Sequence, residues 1–176
     1  VSGSYKDVPE VNDGAMMVVK HLLSYGYLWN EVRVKGGAYG VMCRFSRAGS
    51  GSFVSYRDPN LSATYDVYKK AADFLENYDA DEREVTKTII GTISGLDTPL
   101  TPSMDGKRSM SMYLTKTPLE VIQKERDQVL ACTKEDIRNA ADAVRKIANT
   151  ENICVIGNEK RIKDEASLFE KIKPLS

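Results

Sequence analysis

The chain has 176 residues, 41% of them hydrophobic and 28% charged, a size and composition that suit one soluble globular domain. Its 25 Lys and Arg are matched by 25 Asp and Glu. Without the basic surplus that phosphate binding draws on, neither a nucleic acid nor an anionic membrane is the expected partner.

The opening Val1-Ser-Gly-Ser-Tyr-Lys6 lacks both an initiator Met and an apolar core, so it reads as a cut end and not as a signal or transit peptide. After a lead-in over Lys6 to Gly14, Met16, Val19, Leu22 and Leu23 recur at three- and four-residue spacing and predict a helix over Ala15 to Tyr25. Leu28 to Val34 reads as a continuation of it, a second short turn, and Gly36 and Gly37 end any regular structure. Ala38 to Arg44 and Ser52 to Arg57 are rich in strand formers and joined by Arg47-Ala-Gly-Ser-Gly-Ser52, the signature of a β-hairpin, which Asp58-Pro59 closes.

Helical patterning then takes over. Tyr68, Ala71, Ala72, Leu75 and Tyr78 form an apolar stripe in a helix capped by Asn60 or Ser62. Asp81, Glu82 and Glu84 open a helix over Asp81 to Ser94, stopped by Gly95, Pro99 and Pro102. Thr117 as N-cap, Pro118 at the first helical position and Glu120 start another, running to about Ala131. Thr133 and Asp136 repeat that logic before the well-spaced Ile137, Ala140, Ala141, Val144, Ile147 and Ala148. Asn152-Ile-Cys-Val-Ile-Gly157 reads as a short buried strand, and a charged, weakly helical tail completes the chain. Strands and helices in separate runs favour an α+β fold over alternating βαβ units.

No apolar run approaches the ~20 residues of a membrane-spanning helix. Cys43, Cys132 and Cys154 are odd in number and dispersed, which suits free thiols in a reducing compartment. The single histidine, His21, has Met17 and Tyr25 at four residues' distance and belongs to no metal motif, so it reads as structural. There is no G-x-S-x-G elbow either. Lys35-Gly36-Gly37-Ala38-Tyr39-Gly40 lacks both phosphate-loop patterns and precedes a strand where those loops precede a helix. A plain turn explains the glycines but leaves Arg33, Lys35 and Tyr39 around them unexplained. Glycines let another backbone approach, and an Arg and a Tyr supply donors for peptide carbonyls or a developing oxyanion, so the segment is the candidate peptide-binding site.

Leu28-Trp-Asn-Glu-Val-Arg33-Val-Lys-Gly-Gly-Ala-Tyr39-Gly40, with Cys43-Arg-Phe45 and Ser55-Tyr-Arg-Asp-Pro-Asn-Leu61, resembles the presequence-protease branch of the insulinase/pitrilysin superfamily of inverted zinc peptidases. The likeness continues through Ile89 to Ser94, Gln123 to Asp127 and Cys154 to Asn158, over most of the chain. It implies the last of four homologous domains, an α+β unit with helices on one face of a largely antiparallel sheet. In that family the first domain carries H-x-x-E-H and a distal Glu for zinc, with the motif's Glu as general base. The last domain adds an Arg and a Tyr across a closed chamber. By motif these fall on Arg33 and Tyr39, the expected catalytic pair, with Gly36, Gly37 and Lys35 as further substrate contacts and Tyr56 and Arg57 as weaker candidates. For Arg57, capping the hairpin end or pairing with Asp58 is the favoured role.

The sequence contains no H-x-x-E-H and is shorter than a family domain, as though leading strands were missing. The resemblance therefore implies a single C-terminal domain fragment over residues 1–176, inactive alone, with zinc bound by a domain absent from it. Peptide substrates and the other domains of the same peptidase are the implied partners, and self-association of the fragment through unpaired edges is expected. Localisation would be cytoplasmic in a bacterium, or mitochondrial or plastid in a eukaryote. The alternatives are a non-catalytic scaffold of the same fold and an independent peptide-binding domain.

Overall fold

The structure, a computed structural model, describes residues 1–9 and 11–174. Its sheet has three antiparallel strands in the order β1 (Ser2–Ser4), β3 (Ser50–Tyr56), β2 (Gly40–Phe45). Alternation decides its faces: Val41, Cys43 and Phe53 are buried against helices, while Met42 and Val54 look outward. The hairpin lies where the strand formers place it, with Gly40 opposite Tyr56. The fold is α+β, with the helices on one face of the sheet.

Helix α1 (Asp13–Leu22) is capped by Asn12, whose side chain accepts from the Ala15 amide at 2.7 Å. It does not stop at Tyr25. Wider π-helical turns over Leu23–Tyr27 and Trp29–Lys35 carry the same rod to the glycines. Val18, Val19, Leu23, Leu28 and Val32 are buried along it, each contributing roughly 1.5–3 kcal/mol by burial. The expected continuation over Leu28 to Val34 is present, and its five-residue hydrogen-bonded turns keep Leu28 and Val32 on the buried side. Gly14, near the start of the rod, sits against α5 (Leu119–Leu130). A Cβ there would lie 2.7 Å from the Val129 backbone nitrogen. Gly14→Ala is therefore expected to destabilise the fold by about 1–3 kcal/mol, as overpacking against immobile backbone does, and a thermal melt measures it.

Helix α2 (Ser62–Glu76) packs on the rod and on α7 (Ala141–Ala148), burying Ala71, Ala72 and Leu75. Neither Asn60 nor Ser62 caps it by side chain. Asn60 donates instead to the Gly36 carbonyl at 2.6 Å, and the Ser62 amide is satisfied by the Glu165 carboxylate at 2.8 Å. Accepting those bonds from Ser62 holds the Glu165 carboxyl below its ordinary range. The expected helix over Asp81 to Ser94 is α3 (Glu82–Leu96), with Asp81 as its N-cap, accepting from the Glu84 amide at 2.9 Å. Helix α4 (Pro102–Leu114), capped by Thr101, was not expected at all: it buries none of its residues and so shows no amphipathic stripe. The cap of α5 is Pro118 and not Thr117, whose hydroxyl meets that of Thr115 at 2.9 Å.

The capping box of Thr133 and Asp136 opens α6 (Lys134–Asn139), and a break at Ala140 divides the expected long helix into α6 and α7. The tail forms α8 (Glu159–Asp164). Residues 152–157 are not a strand. The Asn152 carbonyl accepts from the Ser2 amide at 3.2 Å, but Glu151 has a left-handed φ of 57°, and Cys154 and Ile156 are exposed. This apolar run stands across a groove of about 670 Å³ from β3 instead of joining it. The far end of the hairpin is held by a buried carboxylate: Glu125 of α5 takes the Arg47 guanidinium as a fork, with Nη2 at 2.7 Å from Oε2 and Nε bonded to Oε1.

Candidate functional site

The last turn of the rod carries Trp29 and Arg33 four residues apart, on one face, with the Arg33 guanidinium carbon 4.0 Å from the centre of the indole ring. The rod then has to stop and turn into β2. A Cβ at Gly36 would lie 2.5 Å from the Val32 carbonyl oxygen, and Gly37 adopts a φ of 79°. The Gly37 amide donates to Arg33 and the Ala38 amide to Val32, at 3.0 and 3.1 Å. The glycines thus serve the helix end itself, and Ala38 is buried.

Tyr39 follows. Its amide donates to the Tyr56 carbonyl at 3.1 Å, which fixes its backbone to β3, while its side chain is 65% exposed. Arg33 and Tyr39, six residues apart, are brought together, with the guanidinium carbon 6.0 Å from the phenol ring centre. The Lys35 ammonium turns back to Glu31 at 2.6 Å, away from that pair.

Two residues rated weaker by sequence stand in the same cluster. The Tyr56 ring meets Tyr39 edge-on at 6.0 Å, and the Arg57 guanidinium carbon is 5.9 Å from the Tyr39 ring and 5.4 Å from the Tyr56 ring. Arg57 does not pair with Asp58. That carboxylate accepts from the Thr64 hydroxyl at 2.8 Å and the Asn60 amide at 2.9 Å. Among the described residues neither Arg33 nor Arg57 forms an ion pair. Trp29 had no weight in the sequence reading. Its four-residue spacing from Arg33 was the signal that could have found it.

The remaining reactive groups lie elsewhere. The His21 ring lies tilted against that of Tyr25, centroids 4.8 Å apart, and packs against Gly91 of α3, and burial, then Lys20, holds its imidazole below the ordinary value. Burial pushes the Cys43 thiol up to about 11 and the Cys132 thiol up to about 12, so neither is a nucleophile near neutral pH. All three cysteines are unpaired, Cys154 exposed. Among the described residues no three His, Cys, Asp or Glu side chains gather as metal ligands, so this chain's donors do not fit a zinc centre.

The profile described as the PreP C-terminal domain matches residues 1–159. The chain belongs to the PreP C-terminal domain family. It is 42% identical over 171 residues to Protein HypA of Clostridium perfringens, covering 97% of this chain and 18% of that protein. It is 38% identical to presequence protease 1, chloroplastic/mitochondrial, of Arabidopsis thaliana, covering 93% of this chain and 16% of that protein. It is 31% identical over 148 residues to the mitochondrial presequence protease of Xenopus tropicalis, covering 84% of this chain and 14% of that protein. The chain thus spans less than a fifth of the length of these relatives. Arg33, Tyr39, Tyr56 and Arg57 all lie within the matched PreP C-terminal segment.

Proposed function

We propose that residues 1–176 are the single C-terminal domain of a longer zinc metalloendopeptidase that degrades peptides inside a closed chamber, and that this domain supplies substrate-holding and oxyanion-stabilising donors. The observation that carries the reading is the convergence, at the rod-to-strand turn, of an exposed Tyr39 and an Arg33 that has no ion-pair partner among the described residues. A phenol O–H aimed at the carbonyl oxygen of a scissile peptide stabilises the charge that develops there, an interaction stronger in the transition state than in the ground state. The Arg33 guanidinium, 4.0 Å from the centre of the Trp29 ring, presents a planar fork to a neighbouring carbonyl. Zinc belongs to a domain outside this chain in this reading, and the chain alone is inactive. The names of the relatives support a mitochondrial or plastid enzyme in a eukaryote or a bacterial counterpart.

The test is Arg33→Lys in the full-length enzyme. A point ammonium keeps the charge but loses the fork and its contact over the Trp29 ring. The expected result is about a 10-fold loss or more in kcat/KM on an unstructured peptide, with zinc content unchanged, since a charge-assisted hydrogen bond contributes about 1.5–3 kcal/mol. Wild-type rates would favour the scaffold reading.

A further inference from the structure

Arg57 has a backbone φ of 48°, a conformation costly for a residue with a side chain and free for glycine. A long cation kept at such a position is an outlier that calls for a use. The neighbouring carboxylates do not supply one: Asp58 is taken by Thr64 and Asn60, and Glu31 by Lys35. What Arg57 does face is Tyr39, at 5.9 Å, the same ring that Arg33 approaches at 6.0 Å. Two guanidiniums that have no ion-pair partner among the described residues therefore approach the ring of one exposed tyrosine, and a second, Tyr56, stands beside them.

We propose that Arg57, Arg33 and the tyrosines form a carboxylate-binding subsite, with Arg57 as a specificity-determining residue for peptides that carry a free carboxylate near the bond to be cut. The ligand class follows from the donors. Guanidinium forks match a carboxylate's two oxygens, phenol hydroxyls add neutral donors, and the neighbouring aromatic rings attract the cations without neutralising them. A backbone carbonyl needs one such cation, whereas two leave an excess of positive charge that an anion satisfies. The carboxylate can come from the peptide's C-terminus or from an Asp or Glu side chain.

The proposal rests on the reading of this cluster as substrate-facing. Its test uses the full-length enzyme, wild type and Arg57→Gly, on two matched peptide pairs: C-terminal acid against amide, and internal Asp against Asn. Glycine accepts the left-handed backbone, so the melting temperature of the variant should be equal or higher. The wild type is expected to favour one acid over its neutral partner by about 10- to 100-fold in kcat/KM, and Arg57→Gly to bring that ratio close to one. Collapse of the acid/amide ratio identifies the C-terminus as the source, and collapse of the Asp/Asn ratio a side chain. Equal wild-type rates within both pairs, or ratios that survive Arg57→Gly, overturn the proposal. Tyr39→Phe separates it from the catalytic reading, because an unimpaired Tyr39→Phe enzyme whose ratio still depends on Arg57 would keep the subsite and remove the oxyanion role.

Discussion

Tyr39→Phe in the full-length enzyme is expected to lower kcat about 100- to 1000-fold, the usual consequence of deleting one oxyanion donor. The side chain is 65% exposed and its main ring contact is the edge-on approach to Tyr56, which phenylalanine reproduces. Removing one hydroxyl oxygen there opens no cavity, so the melting temperature and zinc content should hold. KM should change less than kcat, because the lost interaction is made chiefly in the transition state. Steady-state kinetics on a short unstructured peptide, alongside metal analysis, checks this. A rate within a factor of two of the wild type would remove Tyr39 from the chemistry and leave the domain a scaffold.

Arg47→Ala is the change expected to cost the fold most. Glu125 is 3% exposed, and its charge is compensated by the Arg47 fork from the hairpin turn. Deleting the arginine leaves the buried carboxyl group of this α5 residue without the partner that forks onto it. The expected penalty is about 3 kcal/mol, the low end for a buried pair because the Arg47 side chain is itself 44% exposed. For a domain of this size that is a fall of roughly 6–12 °C in melting temperature. Adding Glu125→Gln to Arg47→Ala removes the stranded carboxyl group and should restore part of the loss, a coupling of at least about 1 kcal/mol. A fall below about 2 °C for Arg47→Ala would show that the pair does not hold α5 to the hairpin.

The sequence made legible those elements whose stabilisation is local or periodic. The apolar spacing from Met16 to Leu23 marked the first helix, Thr133 and Asp136 marked their capping box, and the strand formers on either side of Arg47 to Ser52 marked the hairpin. It misled where partners are distant or a face is open. The amide of Ser62 is satisfied by Glu165, 103 residues away, which no reading of the local sequence reveals. Helix α4 has no buried side to create a period, and residues 152–157 are apolar without being enclosed. The rod ends at the glycines that mark its stop, but its π-helical turns were not legible, because a 3.6-residue period does not describe them.

The cluster divides in the same way. Arg33, the glycines and Tyr39 are contiguous, and their chemistry stands out against a plain turn. Tyr56 and Arg57 join them only through the pairing of Gly40 with Tyr56, and the freedom of Arg57 depends on Asp58 being occupied by Thr64.

Trp29, the chain's only tryptophan, lies directly under the Arg33 guanidinium. Every photon of indole emission from this domain therefore originates beside the functional cluster. A ligand that draws the guanidinium off the ring, or a lysine in its place, alters the field on the excited indole, so an intensity change or a spectral displacement would follow occupancy without any attached label. In a longer protein with further tryptophans, the difference spectrum against Trp29→Phe would isolate this signal, and stopped-flow mixing would then time the arrival of a peptide separately from its cleavage.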